Sequence, residues 1–75
     1  MPKMSDLTAK QRLVLLMLYS MRLYYSTEYP KIKEFAAAMG VTCGAVATHV
    51  EALRVKGMVE GKWGHLTFNP VEWEM

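Results

Sequence analysis

The stretch "MGVTCGAVATHVEALRVKGMVE", residues 39–60, is punctuated as a helix with a turn in front of it and a stop behind it. Gly40 stands where a preceding helix ends, a place that favours the left-handed conformation open to a residue without Cβ. Thr42 is an N-cap type, whose side-chain oxygen can accept from an unpaired N–H of the first turn. Val46, Val50 and Leu53 recur at the spacing of one inward helix face. Gly57 follows as the stop. The pattern predicts a helix over about Cys43–Lys56. Its front half, "TCGAVAT", carries no arginine, lysine, asparagine or glutamine.

Working back toward the N-terminus, Ile32, Phe35, Ala36 and Met39 fall at i, i+3, i+4 and i+7. They predict a helix over about Lys31–Met39, with Pro30 suited to its first position. Only about three residues separate this helix from the next, the spacing of a helix-turn-helix. Within that unit Ala36 is small where two helices cross, and Val41 fills the gap between them. Val46 and Val50 pack one helix on the other. Earlier still, "LTAKQ" places Thr8 three residues before Gln11, a capping box opening a helix over about Ala9–Tyr25. "STEYP" is expected to be a loop and residues 1–6 a disordered lead-in. On the C-terminal side "MVEGKWGHLTF" changes period. Met58–Glu60 and His65–Phe68 read as two strands around a glycine-bounded tip. Asn69-Pro70 closes the second strand, and "VEWEM" is a short tail. Three helices and a hairpin, mainly α with a little β, make a winged helix-turn-helix in a single domain, 1–75.

Composition narrows the function. A chain of 75 residues buries only about 60–65% of its unfolded surface, so the 52% apolar content must be used efficiently. A net charge of +2 is compatible with nucleic acid but far from a charge-only binder. The one cysteine, Cys43, excludes an internal disulfide. The longest apolar run, Leu13–Tyr19, is far short of the roughly 20 residues that span a bilayer, and the N-terminus has no signal-peptide arrangement. No membrane association is expected, and the expected place is the cytoplasm, on the nucleoid if the source is bacterial or viral. No carboxylate pair, Ser–His or Cys–His arrangement, or phosphate-cradling glycine loop stands at a usable spacing, so no enzyme is expected. Cys43 and His49 are six apart, which does not align them on a helix, and with His65 they form no ligand motif. No metal and no cofactor is expected. His49 reads as a partly buried helix residue. Cys43, at a helix N-terminus, leaves redox sensing as a lesser alternative.

Over about residues 7–60 the chain resembles the N-terminal DNA-binding domain of LexA-type repressors. The resemblance rests on "LTAKQ", "YPKIKEFAAAMG" and "HVEALRVKGMVE". It implies a winged helix-turn-helix that binds double-stranded DNA. There are departures. The family's turn into the third helix is one residue longer, and its helix presents polar or acidic side chains where this one has Gly44, Ala47 and Thr48. The N-cap of the second helix, Ser or Thr in the family, is Lys31. No protease-like domain with a Ser–Lys pair follows in this sequence, so self-cleavage is not expected of it.

In winged-helix geometry the third helix enters the major groove with its N-terminal residues on base edges. The outward candidates are Thr42, Cys43, Gly44, Ala45, Ala47, Thr48 and Glu51, and the family's positions, carried over, mark Thr42, Gly44, Ala45 and Thr48. Threonine hydroxyls can meet bases or phosphates, and small methyls can pack on thymine methyls. The alternative is that a protein packs closely on this face. Lys31 and Lys33 lie in the first turn of the second helix, where cations are disfavoured unless an anion is near. They are candidate phosphate contacts, or else simply solvated beside Glu34. At the wing tip Lys62 and Trp63, with His65 behind, suit DNA backbone or minor-groove contact, unless Trp63 folds back onto the core.

Val14, Leu15, Met17, Leu18 and Met21 suffice for the inner face of the first helix. Leu13, Leu16, Ser20 and Leu23, flanked by Tyr19 and Tyr24, form a second stripe. An apolar face left uncovered marks an association site, so a homodimer through this stripe is expected, with help from Trp73. The alternative is that the C-terminal tail covers it. The function expected is that of a small DNA-binding transcription regulator, a LexA-like repressor type. The rival is an interaction module that docks on a regulatory protein partner instead of DNA.

Overall fold

The computed structural model describes residues 2–24 and 30–72, with the side chains of residues 22–24 left aside. The helix end expected at Tyr25, residues 26–29 of "STEYP", the side chains of Leu23 and Tyr24, and Trp73 lie outside the described residues.

The first helix, α1 (Ala9–Tyr24), opens on the expected capping box. The Thr8 N–H donates to Gln11 Oε1 at 3.1 Å, and the Gln11 N–H returns to Thr8 Oγ1 at 3.2 Å. Its inner face buries Val14, Leu15, Leu18 and Met21, with Met17 packed at the margin. The second, α2 (Ile32–Met39), begins one residue later than its sequence pattern predicts. Lys31 is extended (φ −64°, ψ 151°) and serves as the N-cap through its carbonyl, which accepts from the Glu34 and Phe35 amides. Pro30 therefore stands ahead of the cap, not at the first helical position.

Gly40 has the left-handed backbone expected of it (φ 72°), and its N–H returns to the Ala36 and Ala37 carbonyls. The Val41 N–H closes on Ala36 at 3.0 Å. This stop swings the chain through 96° into α3 (Cys43–Val55), a helix-turn-helix angle. Thr42 Oγ1 accepts from the Ala45 N–H at 3.1 Å, the cap anticipated above. Val46, Val50 and Leu53 are buried against α1 and α2, with Phe35 and Ala36 facing them from α2. Burying each large aliphatic side chain stabilises the fold by about 1.5–3 kcal/mol.

The wing is a two-stranded antiparallel hairpin, β1 (Val59–Glu60) and β2 (Thr67–Phe68), with Val59 opposite Phe68 and Glu60 opposite Thr67. Its strands are shorter than expected. The Met58 N–H is used at the end of α3, on the Leu53 carbonyl at 2.9 Å. The His65 N–H closes the tip onto the Lys62 carbonyl at 2.8 Å. Three helices and this hairpin form a winged helix-turn-helix.

The N-terminal lead-in is structured where disorder was expected. Met4–Asp6 form a 3-10 turn, and Met4 and Leu7 are buried. Lys3 bridges Glu72 in parallel, through a Met4 N–H to Glu72 carbonyl bond of 3.0 Å and a Glu72 N–H to Pro2 carbonyl bond of 2.8 Å. The burial of Met4, with Leu7 just beyond, supplies the reason, since it offsets the entropy of ordering the segment.

Candidate nucleic-acid interface

Cys43, Gly44, Ala47, Thr48 and Glu51 are exposed and lie on one outward stripe of α3, with Thr42 exposed ahead of them and Ala45 half-buried at its edge. The stripe carries small side chains for two turns. Its polar groups are partly committed. The Thr48 hydroxyl donates to the Gly44 carbonyl at 2.9 Å, leaving its lone pairs and methyl outward. Thr42 Oγ1 accepts from Ala45, which leaves its hydroxyl hydrogen to donate. A Cβ added at Gly44 would meet nothing nearer than Thr42 Oγ1 at 3.9 Å, so the fold itself does not require glycine there. The stripe ends in charge, where Arg54 pairs with Glu51.

Lys31 and Lys33 are exposed at the start of α2, beside an exposed Glu34. The wing reaches the same place. The Trp63 indole N–H donates to the Pro30 carbonyl at 2.9 Å, and its ring lies 5.1 Å from that of Phe35, tilted by 58°. Trp63 was a candidate DNA contact at the tip. It takes the other course and folds back onto the core, because its apolar ring and its one donor both find partners there. The effect is to hold the wing tip against the start of α2, since the Trp63 indole, one residue after Lys62, bonds the carbonyl of Pro30, one residue before Lys31. Lys62 and His65 are exposed.

Two cations went unnoticed in the sequence. Arg54 Nη2 donates to the Gly61 carbonyl at 2.7 Å, tying α3 to the wing. Lys56 Nζ donates to the Asp6 carbonyl and to Gln11 Oε1, both at 2.8 Å, tying the end of α3 to the front of α1. Each lies in the last turn or just past it, where the helix dipole favours cations. That position is the signal that could have picked them out.

On α1, Leu13 and Leu16 are 48% and 45% exposed. The stripe they begin is then partly covered. Tyr19 packs on Phe68 with ring centroids 4.7 Å apart, and Phe68, Pro70 and Val71 wall an open groove of about 700 Å³ beside Leu16. Burial there raises the Tyr19 hydroxyl above its ordinary pKa by desolvation. The end of β2 and the residues just after it thus cover the Tyr19 end of the stripe and leave the Leu13 end open. Ser20 is half-buried and borders a separate cavity of about 310 Å³ between α1 and α2.

Cys43 is exposed and His49 half-buried on α3. Among the described residues no three His, Cys, Asp or Glu side chains gather as metal ligands, and no single helix is long and apolar enough to cross a membrane.

A family model described as the LexA DNA-binding domain matches residues 4–65. It takes in the 3-10 turn, all three helices, β1 and the wing tip. No curated protein and no solved structure matches the chain. With nearly its whole length matched and the winged helix-turn-helix in place, the chain belongs to the LexA DNA-binding domain family, whose members are DNA-binding regulatory modules.

Proposed function

We propose that the protein regulates transcription as a homodimer on duplex DNA, with the front of α3 in the major groove. The observation that carries this reading is the exposed stripe of small residues at the capped end of α3. Thr42, Cys43, Gly44, Ala45, Ala47 and Thr48 let the helix backbone approach the base edges closely. Thr42 offers a donor, Thr48 offers acceptors, and Ala47 and Thr48 offer methyls for thymine. None of these is a bidentate base reader, each of which is worth about 1–3 kcal/mol of discrimination. Site choice therefore leans on methyl contacts and on DNA shape. Lys31, Lys33 and Lys62 anchor phosphates on either side of the Pro30–Trp63 contact. The open Leu13–Leu16 end of α1 joins the two copies.

Binding to random duplex DNA across a salt series tests the reading. Three phosphate contacts give a slope of about −2.7 in log affinity against log salt. Lys31→Glu with Lys33→Glu should remove most of the binding while circular dichroism stays unchanged. Absence of binding at low salt would overturn the reading in favour of docking on a regulatory protein partner.

A further inference from the structure

Arg54 lies at the far end of the α3 stripe and links it to the wing. One guanidinium nitrogen donates to the Gly61 carbonyl at 2.7 Å, and the other pairs with Glu51 one turn earlier. Gly61 opens the wing's first turn with a left-handed backbone (φ 95°), and a Cβ there would come within 2.7 Å of the His65 carbonyl oxygen. That turn is tight, and it carries the carbonyl that Arg54 grips. Two residues on, Trp63 is fixed to Pro30 and Phe35. Lys62 sits between these two anchors.

We propose that Arg54 is a positioning residue that locks the wing to α3, so that Lys62 and the front of α3 meet DNA as one rigid body. The proposal rests on the reading that the wing contacts DNA. A lysine on a loose hairpin loses freedom when a phosphate captures it, and a lysine on a pre-held turn loses less. A charge-assisted bond from a guanidinium is among the stronger ways to hold such a turn. Glu51 orients the guanidinium, and the pairing cancels a carboxylate that would otherwise face the phosphates at the end of the stripe.

Arg54→Met, which keeps the aliphatic stem, Lys62→Met and the double variant test this. Two measurements are needed, affinity for duplex DNA and backbone order parameters of residues 61–64 from NMR relaxation. Arg54→Met should weaken binding roughly three- to tenfold and lower order in the wing alone. The double variant should bind no more weakly than Lys62→Met. Arg54→Lys keeps the charge without the two-pronged grip and should loosen the wing as Arg54→Met does. Order parameters that stay unchanged in Arg54→Met would overturn the lock. Losses that add in the double variant would overturn it in favour of a direct Arg54–phosphate contact. Unchanged affinity in Lys62→Met overturns the wing's part in DNA binding, a separate failure, since the order parameters still report whether Arg54 holds the wing.

Discussion

The outward faces of α1 and α3 are both exposed and are made of opposite materials. α1 shows Leu13 and Leu16, each close to half accessible. α3 shows Gly44, Ala47 and Thr48. Covering a leucine removes apolar area from water at roughly 25 cal/mol per Å², so the α1 face gains from being covered. A face of glycine, alanine and threonine gains little from coverage of that kind. What it offers is closeness, because nothing long stands between a partner and the helix backbone. One face is suited to apolar association and the other to a bulky polar partner brought near.

The largest test of this contrast compares neighbours on α1. Leu15 is fully buried and Leu16 is 45% exposed. Leu15→Ala should cost about 2–5 kcal/mol in urea unfolding. Leu16→Glu should change the stability of the monomer by no more than about 0.5 kcal/mol, and in sedimentation it should turn a dimer into a folded monomer. A mass unaffected by Leu16→Glu would remove α1 from the proposed dimer. On α3 the expected effects are smaller than that of Leu15→Ala. Thr42→Ala removes the N-cap bond to Ala45 and should cost about 1 kcal/mol in the same unfolding assay. Gly44→Ala is the smallest and the most discriminating. The space around its Cβ predicts a gain of about 0.5 kcal/mol in stability, whereas close approach to DNA predicts weaker binding. A variant that both folds and binds better would break the closeness argument.

What could be read from the sequence follows the range of the interaction. The Thr8–Gln11 box, the Gly40 stop and the Thr42 cap are set by residues within a turn of one another, and each is found where the pattern placed it. The buried faces of α1, α2 and α3 repeat at helical spacing, and they too match. The contacts that escaped join residues whose neighbourhood exists only in the folded chain. Trp63 and Pro30 are 33 positions apart, and Lys56 and Asp6 are 50 apart. Nothing local to Trp63 distinguishes an aromatic held out to solvent from one drawn back onto Phe35. The order of the lead-in has a related cause, since Met4 is buried where its backbone pairs with Glu72, far along the chain. For the candidate site, the outward stripe of α3 was visible because exposure follows from periodicity. The role of Arg54 was not, because its partner is a backbone carbonyl.

The pairing of Pro2–Met4 with Glu72 sets two stretches far apart in the chain side by side. They meet near the rear of α3, where Lys56 reaches the Asp6 carbonyl. Thr42 lies at the other end of that helix, roughly 20 Å away at 1.5 Å per residue. Substitutions that break the pairing of residues 2–4 with Glu72 would therefore act at one edge of the molecule, well clear of the stripe at the front of α3.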